Sequence, residues 1–399
     1  MCRAYWPGMT SNRLEVAPSA RRLRVLLVPS AYYPHVGGIE ELTRQLALEL
    51  GSRGHGVAVL TNRWPEGVVR SEVLNRIPVT RLRFPLPALR MRPAARFLAT
   101  SPAAALSLLR HIRGWRADVV HVIGAGPPSV YIAALQRGLR GRLVFTGQGE
   151  LTFDAHGVFE HSATLRAGLR RILGAADAVT ACSAFVLRDL EALGPLGGVS
   201  RVIPNGVDPD EFDEASPETA FGQYVLAVGR LVPQKGFDVL LGAFRSDSLS
   251  GLNLVIAGEG FERTRLEARA KELGLASRVN LVGSVDRARL AQLLRGARVF
   301  VFPSRGEPFG IALLEAMAAG VPAVATAAGG VPELARDEQN ALLVPTDEPE
   351  VLAAATARLA TDESLRTRLI SGGLKTAETL AWHRIADLYE ETYLRALPS

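Results

Sequence analysis

The sequence predicts two doubly wound α/β domains, each a parallel sheet with helices on both faces. Three observations predict it. Short apolar runs alternate with stretches of helical periodicity along nearly the whole chain. The alternation breaks over Arg201–Thr219 and then restarts. A length of 399 residues suffices for about two domains, each able to bury its own core. With 48% hydrophobic and 22% charged residues, the composition excludes a disordered or fibrous chain. No apolar run reaches the ~18 residues of a membrane span. Cys2 and Cys182 are the only cysteines, which excludes a disulfide framework or a cysteine-rich zinc site.

Residues 1–20 carry Pro, Ser and Arg without an apolar stretch, and are expected as a disordered N-terminal extension and not a signal peptide. Arg24–Pro29 (RVLLVP) is the first buried-strand candidate, and Ile39–Leu50 has apolar residues at helical spacing. Val57–Leu60, Asp118–Ile123, Leu143–Phe145 and Ala178–Ala181 continue the strand series. Arg201–Phe212 (RVIPNGVDPDEF) is turn chemistry, and Asp213–Thr219 is polar. The first domain is therefore set at 1–205 and the linker at 206–222. In the second domain, 223–378, the strand candidates are Tyr224–Val228, Leu252–Ala257, Val279–Val282, Val299–Pro303, Pro322–Thr326 and Ala341–Val344. Trp382–Leu397, within the terminal segment 379–399, is amphipathic. Right-handed crossovers put the loops at the strands' carboxyl ends on one rim of each domain, and ligands are expected where two such rims face a central cleft.

The formal charge of +6 conceals an asymmetry: residues 1–205 sum to +13 and residues 206–399 to −7. A basic first half suits an anionic acceptor or membrane surface, or is simply a solvated surface. It lacks the aromatic-interleaved basic motif of a nucleic-acid binder, and no nucleic-acid partner is expected.

The motif richest in chemistry is Val299–Gly320, VFVFPSRGEPFGIALLEAMAAG. A strand ends, a Gly/Pro loop carries Glu307, and a helix begins near Gly310 with Glu315 more than a turn inside. Such a helix start offers unpaired N–H groups to an anion, leaving both carboxylates to accept from sugar hydroxyls. Read alone, Glu307 is equally a residue favoured near a helix N-terminus, and Glu315 a solvated helix position. Val228–Gly236 (VGRLVPQKG) places Arg230 and Lys235, one of only three lysines, in one loop after a strand, where both could reach an anion. Ser30–Glu40 puts Gly37-Gly38 at a helix start, suited to close ligand approach or to a simple tight turn. Gly124–Pro128 (GAGPP) lacks the third glycine and following acid of a dinucleotide fingerprint, which weighs against a nicotinamide oxidoreductase. His121 lies near a strand end directed at the cleft and is otherwise a core histidine. Asp154, His156 and His161 do not share one face, and Asp208-Pro-Asp210 sits in the linker, so no metal is expected.

In order and spacing these motifs resemble glycosyltransferase family 4, retaining enzymes of the GT-B architecture, from about Arg24 onward. Glu307 and Glu315 match its Glu-x7-Glu motif, and GGIE, GRLVPQKG, IPNGVD and AGEG (Ala257–Gly260) add to it. The resemblance implies a nucleotide-sugar on the C-terminal domain and an acceptor on the N-terminal one. It also implies that the segment beginning at Trp382 crosses back onto the N-terminal domain. By the resemblance, Arg230 and Lys235 bind the donor diphosphate and stabilise the leaving group. Glu307 holds sugar hydroxyls, and the Phe309-Gly310-Ile311 backbone closes around sugar and phosphate. Glu315 accepts from the ribose, Gly37 and Gly38 approach the diphosphate from the opposite domain, and Glu259 and Val282-Gly283 flank the base. Where the family often carries a His-Gly step, this chain reads Thr146-Gly147-Gln148-Gly149-Glu150. Gln148 is expected to orient the sugar, with Glu150, Asp154 and His121 considered for the acceptor.

The expected activity is transfer of a hexosyl unit from a UDP- or GDP-sugar to a hydroxyl of a glycan, glycolipid or small molecule. It is expected to be retaining and metal-independent, with no cofactor beyond the donor. A cytoplasmic location is expected, with peripheral attachment to the inner membrane face through the basic domain. The alternatives are a nucleotide-sugar-binding protein without transfer, for which Gln148 leaves room, and a sugar-nucleotide epimerase of the same architecture.

Overall fold

A computed structural model describes residues 21–35, 37–65, 67–86, 91–152 and 158–397. The chain divides into two compact units: one runs to Asn205 and takes in the segment from Trp382, and the other is Gly206–Ala381.

The first unit holds an eight-stranded sheet: β1 (Arg24–Pro29), β2 (Gly56–Asn62), β3 (Ser71–Leu74), β4 (Ile77–Leu82), β5 (Val119–Ile123), β6 (Arg142–Gly147), β7 (Ala178–Ala181) and β8 (Val199–Val202). Their order is β3-β4-β2-β1-β5-β6-β7-β8, parallel except for β3, which pairs antiparallel with β4. The central strands are buried along their whole length, as VVHVI in β5 shows, because helices cover both faces. β3, β4 and β8 were not anticipated. The edge strands β3 and β8 expose alternate or successive side chains and so lack an apolar run. The β3–β4 hairpin turns on Asn75 and Arg76, both at positive φ (48° and 66°), and an arginine there gives no turn signal in the sequence.

The helix Trp382–Ala396 belongs to this unit. It buries Trp382, Ile385, Ala386, Tyr389 and Tyr393, a stripe at helical spacing. Arg53, just beyond the helix Gly38–Ser52, clamps it by donating to Asp387 (2.6 Å) and Glu390 (2.9 Å).

The second unit is a six-stranded parallel sheet: β9 (Tyr224–Val228), β10 (Asn253–Ala257), β11 (Val279–Gly283), β12 (Val299–Phe302), β13 (Ala323–Thr326) and β14 (Leu342–Val344). Its order, β11-β10-β9-β12-β13-β14, reverses direction between β9 and β12, making that junction the topological switch point. The core is mainly aliphatic, built from the strands and from Leu240, Leu241, Leu359 and Leu369 of the covering helices, with Phe237 and Phe244. The expected linker 206–222 is not a loose tether. Val207 donates its N–H to the Leu380 carbonyl (3.0 Å), Phe212 is buried, and Glu218 N–H bonds the Gln292 carbonyl (3.0 Å). Turn chemistry marked where regular structure stops, but packing keeps this segment inside the second unit.

Candidate active site

The candidate residues form two groups, one on the carboxyl rim of each sheet. In the second unit the switch point does the positioning. The loop after β9 passes Arg230, makes a 3₁₀ turn over Pro233–Lys235 and reaches Gly236 at φ 64°. A Cβ at Gly236 would stand 2.0 Å from the Pro303 carbonyl oxygen, so only glycine lets this loop lie against the end of β12. Arg305 ties the same two loops together, with its N–H on the Gln234 carbonyl and its guanidinium on Asp238.

The result is an ion pair. Lys235 Nζ donates to Glu307 Oε2 at 2.5 Å and lies 5.4 Å from the Phe302 ring centroid. Arg230 is exposed, and its guanidinium has no partner among the described residues. Gly310, at φ 106°, caps the helix Ile311–Ala318, a left-handed turn that turns the chain abruptly from loop to helix. Phe309 is buried, while Ile311 is half-buried.

Glu315 is not a solvated helix position. It is 7% exposed and paired with Arg287, the first residue of the helix Arg287–Gly296. The same guanidinium grips both oxygens of Glu211, in the 3₁₀ turn Pro209–Phe212. Arg287 stands 28 positions from Glu315 and 76 from Glu211, separations that no local spacing links, so the sequence alone marks neither Arg287 nor Glu211. On the same rim, Glu259, Val282 and Gly283 come together where β10 and β11 end: a Cβ on Gly283 would lie 2.9 Å from Glu259 Oε1. Glu259 also pairs with Arg263 at 2.9 Å. Gly329-Gly330 after β13 was also overlooked; Gly330 N–H bonds the Glu307 carbonyl at 2.8 Å. A Gly-Gly step at a helix start, the pattern noticed at Gly37-Gly38, was the signal available.

In the first unit the order also reverses, between β1 and β5, and the loops after these two strands meet there. Gly37 and Gly38 open the helix after β1, with His35 Nδ1 2.6 Å from the buried Glu40 carboxylate. Glu150, in the loop after β6, accepts from the N–H groups of Gln148 (3.0 Å) and Ala125 (3.1 Å). Burial raises its carboxyl above the ordinary 4.5, against the pull of those N–H groups. Glu150 is thus engaged in tying two rim loops together, a use that competes with the acceptor role expected of it.

Gln148 Oε1 accepts from Asn205 Nδ2 at 3.0 Å, leaving Gln148 Nε2 and Asn205 Oδ1 buried without a hydrogen-bond partner. Exchanging O and N in both amides leaves the same result, one donor and one acceptor open. Asn205, within IPNGVD, reads in the sequence as turn chemistry; the structure buries it against Gln148. His121 is withdrawn from the acceptor group. It is fully buried, with Nδ1 2.7 Å from the Tyr393 hydroxyl and Nε2 2.6 Å from Thr146 Oγ1. Burial pushes its pKa down to about 3, so it is neutral. Asp154 and His156 lie outside the described residues.

Two family descriptions match the chain: Glycosyltransferase Family 4 over residues 36–211 and Glycosyl transferases group 1 over residues 209–376. A phosphatidyl-myo-inositol mannosyltransferase from Mycobacterium leprae is 31% identical over 367 residues, 90% of this chain and 92% of that protein. A D-inositol 3-phosphate glycosyltransferase from Mycobacteroides abscessus is 35% identical over 209 residues, covering 49% of this chain and 46% of that one. Among solved structures, a sucrose-phosphate synthase from Thermosynechococcus elongatus has a TM-score of 0.78 at 24% identity, covering 94% of this chain and 99% of that one. Anabaena HepE in complex with UDP and glucose has a TM-score of 0.76 at 21% identity, covering 94% and 100%. At those identities the likeness is one of fold.

Proposed function

Because this chain belongs to glycosyltransferase family 4 and is a glycosyltransferase of the GT-B fold, we propose that it moves a hexosyl unit from a UDP- or GDP-sugar to a hydroxyl with retention at the anomeric carbon. The observation that carries this reading is the pairing of Lys235 with Glu307 at the second unit's switch point, with Arg230, which has no partner among the described residues, in the same loop as Lys235. Two cations on one rim suit a diphosphate, whose charge grows as it departs. Arg230 forks onto phosphate oxygens, Lys235 supplies a point charge, and Glu307 accepts from sugar hydroxyls. Glu315, aimed by Arg287, takes the ribose hydroxyls, and Glu259 with Val282 borders the base. On the first unit, Gly37-Gly38 and the Gln148–Asn205 amide pair present close backbone and one open donor and acceptor to polar ligand groups.

In this mechanism the bond from C1 to the diphosphate oxygen breaks, and the acceptor oxygen bonds to C1 on the same face. The acceptor's proton passes to the departing phosphate oxygen. Gln148 therefore need not accept a proton, which an amide cannot do at neutral pH. No metal enters, because Arg230 and Lys235 supply the positive charge. A hexosyl donor is supported by the mannosyltransferase relative and by a HepE structure solved with UDP-glucose. Among the described residues no helix is long and apolar enough to cross a membrane. We place the enzyme in the cytoplasm, attached peripherally to an anionic membrane through its basic unit.

The test has two parts. A thermal-shift screen of UDP-, GDP- and deoxythymidine-diphosphate sugars identifies the donor, since tighter binding stabilises more. With that donor saturating, Lys235→Ala and Glu307→Ala are each expected to lower turnover by about a hundredfold or more. NMR of the product should show the donor's anomeric configuration. Full turnover by either variant, or an inverted product, overturns the mechanism.

A further inference from the structure

The loop after β12 carries a cation that the transfer reading leaves unused: Arg305, two positions before Glu307. By charge alone, a third cation on the rim of Arg230 and Lys235 suits a phosphate. Its partners give it a different task. The fork of Arg305 grips both oxygens of Asp238 (2.8 and 2.9 Å), in the first turn of the helix Phe237–Ala243. Its Nε donates to Asp347 (2.6 Å), in the loop after β14. Two carboxylates more than offset one guanidinium, so Arg305 adds no positive charge to the rim.

What Arg305 holds is the turn that presents Lys235. A 3₁₀ turn of three residues holds itself weakly. Here Lys235 N–H bonds the Val232 carbonyl at 3.0 Å, and Gly236 N–H bonds the Pro233 carbonyl at 3.2 Å. Arg305 adds two bonds from the neighbouring loop. Its Nη1 donates to the Pro233 carbonyl at 2.6 Å, and its backbone N–H to the Gln234 carbonyl at 2.8 Å. Those carbonyls belong to the two residues just before Lys235. The side chain that braces the turn and the backbone that leads to Glu307 are therefore one residue. A lysine ammonium on its flexible stem is placed only as well as its Cα, and the 2.5 Å contact of Lys235 with Glu307 leaves little slack.

We propose that Arg305 is a positioning residue for transfer: it sets Lys235 and Glu307 at the spacing that the departing diphosphate and the sugar require, touching neither ligand. This rests on the reading of Lys235 as the cation that stabilises the leaving group. Arg305 then acts through Lys235, and the two are coupled and not additive.

The test uses the full chain with its three lysines isotopically labelled at Cε, read by NMR without any substrate. Lys271 and Lys375 are exposed, whereas Lys235 lies 5.4 Å from the Phe302 ring centroid, whose ring current sets its signal apart. The signal missing from Lys235→Ala identifies it. Arg305→Ala should move that signal toward those of Lys271 and Lys375. Arg305→Lys keeps the charge beside Asp238 without the fork and should move it part of the way. With saturating donor, Arg305→Ala should lower kcat by about tenfold or more and change the donor KM by less than about threefold, with Arg305→Lys between. In a Lys235→Ala background, Arg305→Ala should lower kcat by less than about twofold further, whereas a residue serving the fold alone would impose its full loss again. A Lys235 signal unmoved in both Arg305 variants, or losses that multiply in the double variant, overturns the proposal even where the melting temperature falls. A signal that moves while kcat keeps its wild-type value confirms the hold on Lys235 and sinks the transfer reading of that lysine instead.

Discussion

Glu307 and Glu315 stand eight positions apart, yet their surroundings give them different tasks. Glu307 faces Lys235, a cation from a loop 72 residues away, whereas Glu315 is held by Arg287, which grips Glu211 as well. The Glu-x7-Glu spacing and Lys235 were visible in the sequence; the pairing of Lys235 with Glu307 and the role of Arg287 were not, because these cations arrive from other strand ends. Arg287 therefore acts through Glu315. Arg287→Ala should raise the donor KM by about tenfold with a smaller change in kcat, since it unfixes a ribose contact and leaves the reacting centre intact. Arg287→Lys should fall between, because an ammonium keeps the charge without the fork. An unchanged donor KM in the alanine variant would make Arg287 merely a strut for the 3₁₀ turn at Pro209–Phe212.

Among the elements, the terminal helix shows how a pattern can be legible while its destination is not. The stripe of Trp382, Ile385, Tyr389 and Tyr393 predicts an amphipathic helix, and only the resemblance indicated which sheet it would meet. The structure lays it on the first unit, where Tyr393 closes over His121. The environment of His121 sets a pH dependence. Burial depresses its pKa to about 3, below the ordinary 6.5, so the folded state refuses a proton that the unfolded state accepts. Stability from this group is complete above pH 6.5 and falls with pH toward 3, at about 1.4 kcal/mol per pH unit inside that window. His121→Gln, which keeps hydrogen-bonding capacity toward Tyr393 and Thr146, should flatten that portion of the denaturation profile. An equal slope in wild type and variant would show that other groups govern it. The neighbouring Tyr389 and Tyr393 have raised pKa values from burial and stay protonated throughout.

For the whole molecule, charge is distributed by unit more than by total. With the terminal segment assigned to the first unit, that unit sums to +12 and the second to −6. The helix Met91–Trp115 carries arginines and no acid. Liposomes containing anionic lipid should therefore bind the protein at about 0.01 M salt and release it near physiological ionic strength, as the Debye length shrinks from roughly 30 to 8 Å. Arg110→Glu/Arg113→Glu should weaken that binding, and no binding at low salt would reduce the arginines to ordinary surface. The sequence by itself determined the element series of both sheets' interiors, the Lys235 and Glu307 loops and the glycines at Gly37-Gly38 and Gly310. Apolar runs and φ-demanding turns are local physics, written in consecutive residues. Only the tertiary structure decided that β3, β4 and β8 extend the first sheet, that Asn205 partners Gln148 and that His121 is sealed in the core. It alone drew Arg305 to Asp238 and Asp347. Those outcomes depend on which strand ends become neighbours, and parallel crossovers bring together residues whose separation in sequence carries no periodic signal.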